Sequence, residues 1–237
     1  MYRQSPSNTT GMPGGIPYIV GNELAERFSF YGMRSILFAY MTVYLCQADG
    51  NLDVFSDKEA EAWVHLFVGS AYLFPIIGGL ISDAFLGKYR TILCLSLVYC
   101  LGHAILACME WAGDTKILLL LGLVLIAVGS GGIKPCVSAH VGDQFGSSNR
   151  FLLPKVFGWF YLAINMGAFA SGLLTPFLLD HLSLFRLVGR GENGGRNYFR
   201  SSLCLWVARG FNGLGHFVVL VGKKRVCTCS TSRIGLF

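Results

Sequence analysis

Apolar runs separated by short polar connectors set the pattern of this chain, at residues 16–45, 61–82, 89–112, 116–138 and 154–180. Each holds about 20 or more mostly uncharged positions, enough for a helix to cross roughly 30 Å of hydrocarbon. A sixth run at 201–222 is weaker, because Arg209, Asn212 and His216 interrupt it. The pattern predicts an all-α integral membrane protein with five clear spans and a doubtful sixth. Residues 1–15, "MYRQSPSNTTGMPGG", are polar and rich in breakers, and read as a disordered lead without the apolar core of a cleavable signal peptide.

The connectors carry the orientation. Arg3, Lys88, Arg90, Arg150 and Lys155 fall on one side, whereas "DGNLDVFSDKEAEA" and "MEWAGDTK" on the other are acidic and hold only Lys58 and Lys116 as bases. By the excess of Lys and Arg in cytoplasmic loops, the basic side and the N-terminus are expected in the cytoplasm of a multi-pass protein of the cell membrane.

Composition agrees: 53% of the 237 residues are apolar and only 14% charged, which excludes an ordinary soluble domain. The net charge of +6 then reads as topology. A basic stripe interleaved with aromatics is missing, so no nucleic acid partner is expected. Of the eight cysteines, Cys94, Cys100, Cys108 and Cys136 lie in apolar runs and are expected to be buried free thiols. Cys227 and Cys229 form an isolated C-x-C, and no metal site or cofactor is expected. An enzyme is not expected either, since no H-E-x-x-H pair, G-x-S-x-G elbow or nucleophile–base set occurs.

The first span breaks the apolar rule. In "NELAERFSFYGMR", residues 22–34, helical spacing puts Glu23, Glu26, Arg27, Phe30 and Arg34 within an arc of roughly 100°, with Tyr31 at its border. Each such charge costs about 2.5–3.5 kcal/mol near the centre of a lone spanning helix. Two acids and two bases on one face can neutralise one another inside a bundle or beside a wet cavity; the other reading is an amphipathic helix lying in the interface. A carboxylate beside an arginine in this setting is a candidate proton site, because burial and the neighbouring charge pull its protonation in opposite directions.

Four stretches resemble the proton-coupled oligopeptide transporters of the major facilitator superfamily. The stretch just quoted is similar to the family's E-x-x-E-R-F-x-Y-Y-G signature, with Phe30 where tyrosine is usual. "GSGGIKPCVSAHVGDQF" from Gly129, "FYLAINMGAF" from Phe160 and, more weakly, "SDAFLGKYR" from Ser82 are similar to three further family blocks, in order and at matching spacing. The resemblance covers residues 16–180. It implies the N-terminal half of a transporter built from two six-helix halves, carrying di- or tripeptides with protons as the driving ion.

Residue by residue, the resemblance implies proton coupling for Glu23, Glu26, Arg27 and His65. It implies substrate contacts for Tyr31, Arg34, Tyr72, Lys134 and Asn165, and a gating clamp for Asp83, Lys88 and Arg90. Plainer readings stand beside these roles. Lys134 could snorkel to the interface, His65 could be an interior histidine, and Asn165 could bind helix to helix. His103 and His140 are taken as structural. The glycines of "GSGGIKP" lack the spacing of a phosphate loop and suit close helix packing in lipid. Pro75, Pro135 and Pro176 are candidate kinks.

After "LLTPFLLDHL" the resemblance fades, and Arg186, Arg190, Arg196 and Arg200 crowd a loop expected outside the cell. Residues 181–237 therefore read as an atypical tail, frame-shifted or truncated. The expected partners are a peptide, protons, membrane lipid and a missing C-terminal transporter half. On this reading the chain alone is inactive; the alternatives are a carrier of another small solute, or a non-transporting half-transporter that acts by interaction.

Overall fold

The structure is a computed structural model, and it describes residues 10–47, 51–109 and 114–188, with side chains up to 178. Five long helices follow one another: α1 (Ile16–Ala39), α2 (Asp57–Ile81), α3 (Lys88–Cys108), α4 (Thr115–Gly142) and α5 (Leu153–Val188). Single π-helical turns extend α1 over Tyr40–Tyr44 and α2 over Ser82–Leu86. The helix bounds lie within a few residues of the apolar runs, except that α5 continues to Val188. The sixth run and the C-x-C lie outside the described residues.

Local chemistry explains where these helices start and stop. Ser56 caps α2 through a reciprocal box in which its hydroxyl accepts from the Glu59 amide and the Glu59 carboxylate accepts from the Ser56 amide. Asp114 caps α4 by accepting from the Ile117 amide at 3.2 Å. The α2–α3 turn closes where the Gly87 amide donates to the Ser82 carbonyl, and Gly87 takes a φ of 74°, a conformation that a side chain disfavours. Pro75, Pro135 and Pro176 all fall inside helices, each removing one backbone donor from the helical ladder.

Packing divides the bundle into two layers. α4 lies against α3 and α2, and α1 lies against α5, with fewer approaches between α1 and α4. Glycines let the first layer close. A methyl group at Gly129 would sit 2.7 Å from the Tyr99 Cβ and 2.8 Å from the Tyr99 backbone, and one at Gly131 would sit 2.8 Å from the Phe74 Cβ. Gly78 and Gly132 meet backbone to backbone in the same way. Such contact gains dispersion energy where lipid tails offer no hydrophobic drive for helix to meet helix.

The outer surface is apolar, with Leu66, Leu73, Ile76, Leu80, Leu97, Leu101 and Phe169 all more than half exposed. α2, α3, α4 and α5 are long and apolar enough to cross a membrane. α1 has the length, at 24 residues, but carries the charged face. The described cysteines form no disulfide, as expected, but only Cys136 is buried among them; Cys94 and Cys108 on α3 are exposed.

Candidate functional site

The charged face of α1 turns inward. Glu23, Glu26 and Arg27 are 4%, 6% and 7% exposed, which is incompatible with a helix that keeps its charges in the headgroups. Arg27 Nε donates to Glu23 Oε1 at 2.7 Å and stands 3.0 Å from Glu26 Oε2. The two carboxylates thus share one guanidinium. α4 adds a donor: the buried Ser130 hydroxyl donates to Glu26 Oε1 at 2.6 Å. Gly167 on α5 makes room for this face, since a methyl there would lie 2.7 Å from the Leu24 carbonyl oxygen and 3.2 Å from the Arg27 Cβ.

One turn after Ser130, Lys134 occupies the edge of the cluster and is half-buried. Its ammonium lies 5.4 Å from the centre of the Phe30 ring and 5.2 Å from that of Tyr72, and 3.5 Å from the Ala71 carbonyl oxygen. It therefore joins α4 to α1 and α2 through aromatic faces, an arrangement that suits a cation in a partly dry site. Tyr31 packs edge-on against Phe30 with ring centres 5.5 Å apart. The structure so brings together Glu23, Glu26, Arg27, Tyr31, Tyr72 and Lys134.

Other predicted residues stand apart. Arg34 is exposed on α1 and makes no ion pair among the described residues. His65 is exposed, with its ring 3.6 Å from Glu61 one turn back on α2, and does not reach the α1 cluster. Asn165 donates to the Tyr161 carbonyl of its own helix at 2.7 Å and is exposed, so within the described residues it is not helix-to-helix glue.

The clamp differs from the expected Asp83–Lys88–Arg90 grouping. Lys88 Nζ donates to both carboxylate oxygens of Asp143, at 2.8 and 3.0 Å, while Asp83 and Arg90 are exposed. The physical reason lies in the turn: Asp83 belongs to the π turn before Gly87, whose positive φ redirects the chain so that Lys88 faces the end of α4.

Sequence reasoning missed Ser130 and Asp143. Both lie within the quoted "GSGGIKPCVSAHVGDQF", and Ser130 stands four positions before Lys134, a spacing that could have placed it on the same face. His103, expected to be structural, is buried on α3 with its Nε2 3.2 Å from the Ser29 hydroxyl of α1 and its ring against Tyr99. His140 is buried near Tyr89.

The POT family profile matches residues 89–194, past Leu182, where the motif resemblance fades. Among curated proteins, Peptide transporter family 1 of Drosophila melanogaster is 45% identical over 177 residues, covering 73% of this chain and 23% of that protein. Human Solute carrier family 15 member 1 is 42% identical over 182 residues, covering 71% of this chain and 25% of its own. The chain thus spans about a quarter of the length of the curated relatives it matches. Among solved structures, the POT family transporter PepTSo superposes with a TM-score of 0.78 at 38% identity, over 94% of this chain and 40% of that one. A POT family transporter solved in complex with a thioalcohol-conjugated peptide gives 0.73 at 25% identity, over 97% and 42%.

Proposed function

This chain belongs to the POT family, whose members are transporters and not enzymes, and we propose that it serves the proton-coupled uptake of di- and tripeptides across the cell membrane. The observation that carries the proposal is the buried Glu23–Arg27–Glu26 cluster, tied by Ser130 to the helix that presents Lys134. A carboxylate held dry beside a cation takes up a proton when the cation or another donor moves, which is the chemistry a proton-driven cycle needs. In this reading Lys134, Tyr72 and Tyr31, with the exposed Arg34 further along α1, form the wall that meets the peptide. A free cation there suits the peptide's carboxylate end, and aromatic faces suit its side chains.

The driving ion in this reading is the proton, with no further cofactor. The N-terminus is cytoplasmic, a placement supported by the basic ends that Lys88, Arg90, Arg150 and Lys155 give to one side. The transport cycle needs a second helical half opposite this one, in keeping with the share of the solved transporters that the chain covers. In that cycle the two halves rock about a peptide held between them.

Uptake of a labelled dipeptide into proteoliposomes under an inward proton gradient tests the reading. Co-expressed with the C-terminal half of a POT relative, the chain is expected to drive accumulation, and Glu26→Gln to reduce the pH-driven part at least about tenfold. Accumulation that responds to the gradient equally in both chains removes the coupling role of Glu26; no uptake in any combination removes the transport reading.

A further inference from the structure

Among the described contacts, the seam between α1 and α4 is crossed at its buried centre by the hydrogen bond from Ser130 to Glu26. We propose that Ser130 is a positioning residue for the coupling proton: its hydroxyl holds Glu26 in the charged form and makes the α1–α4 tie depend on that charge. The proposal rests on the proton-coupled reading above and deepens it.

The geometry gives the reason. Ser130 is fully buried and donates at 2.6 Å, so its one proton is committed to one carboxylate oxygen. A hydrogen bond to a carboxylate is roughly twice as strong as one to a neutral oxygen, so protonating Glu26 weakens the tie without moving any atom of the backbone. Lys134 is one helical turn away on the same helix, and its contact with Phe30 crosses the same seam. Loss of the Ser130 tie therefore frees α4 to carry Lys134 relative to α1. By linkage, a displacement of α4 that withdraws Ser130 makes Glu26 easier to protonate.

Among the described residues, the charged and titratable groups facing Glu26 are few. On α1 they are Glu23 and Arg27, on α3 Tyr99, and on α4 Lys134, each close enough to interact with the cluster electrostatically. α5 meets this stretch through Gly167, and α2 reaches Phe30 through Phe67, neither of which titrates. Ser130 is an uncharged residue that hydrogen-bonds Glu26 directly. Replacing it changes the hydrogen bond and leaves the local charge balance intact.

Infrared titration of the purified chain in lipid nanodiscs tests this directly, using the protonated-carboxyl stretch that disappears in Glu26→Gln. Ser130→Ala is expected to raise the protonation midpoint of that band by about one pH unit, because the charged form loses a donor. Ser130→Thr, which keeps the hydroxyl, is expected to restore the parent midpoint. Should the alanine chain fail to fold by circular dichroism, Ser130→Cys carries the same test, its weaker donor giving a smaller rise. A folded alanine or cysteine variant that titrates at or below the parent midpoint overturns the proposal, whatever the chain transports. A raised midpoint without pH-driven uptake in the complemented transporter supports Ser130 and counts against the transport reading alone.

Discussion

α4 has two faces that hold its neighbours by opposite means. Toward α2 and α3 it presents Gly129, Gly131 and Gly132, and the helices touch backbone to backbone. Toward α1 it presents Ser130, with Lys134 at the edge shared with α2, and contact runs through a hydroxyl on a carboxylate and an ammonium over a ring. Dispersion between close-packed backbones has no chemical variable that a proton or substrate can alter. A charge-assisted hydrogen bond has one. The difference teaches which seam can serve as a joint: the glycine seam keeps α2, α3 and α4 together, while the polar seam answers to protonation.

The strongest way to break this contrast is to crowd the glycine seam. Gly129→Leu would drive a side chain into Tyr99, backbone included, and is expected to destabilise the chain by about 3 kcal/mol or more, read as a lowered thermal unfolding midpoint in detergent. Gly69 offers the control, since nothing lies within 4 Å of a methyl there, and Gly69→Leu is expected to leave the midpoint in place. Equal losses in the two variants would remove the close-packing argument.

A milder probe sharpens the polar side. Ser29→Ala removes the hydroxyl that joins α1 to His103 on α3 and is expected to lower stability by about 1 kcal/mol by the same measurement. Unlike Gly129→Leu, it leaves the α3–α4 packing untouched, so disulfide trapping between cysteines placed across α3 and α4 should proceed at the parent rate.

The smallest effect belongs to the α1–α2 loop, outside the bundle. Asp53 accepts from Lys116 at 2.8 Å and from Gln47 at 3.0 Å, and these bonds hold its carboxyl below the ordinary value of 3.8. Because the folded value is the lower one, the tie is fully present above the ordinary carboxylate range. It is lost only as pH falls below 3.8 through the depressed value. Protection of the Gln47 and Asp53 amides against hydrogen exchange should stay constant from neutral pH into mild acid and fall, by no more than about fivefold, in stronger acid. Lys116→Ala, which leaves the Gln47 bond in place, should shrink that acid step.

Much of this architecture was legible because lipid imposes simple rules. A span needs about 20 apolar residues, so helix positions followed from run lengths, and a charged face within a span had to turn inward. The spacing placed Glu23, Glu26 and Arg27 on one face, and the structure buries them together. The pairing of Lys88 with Asp143 was not legible, because proximity in sequence says little about partners across a turn. Gly87 redirects the chain, and Lys88 meets Asp143 from 55 residues away.

What the amino-acid order determined by itself was periodic: where helices lie, which arc of α1 is polar, and which stretch of α4 is small enough for close approach. What only the tertiary structure decided was pairing across helices, namely Ser130 on Glu26, Lys134 over Phe30 and Tyr72, and His103 beside Ser29. Periodicity is a property of one helix and needs no partner. A pairing depends on the rotation and offset of two helices, and these are set by the sum of many small packing contacts that no single motif encodes.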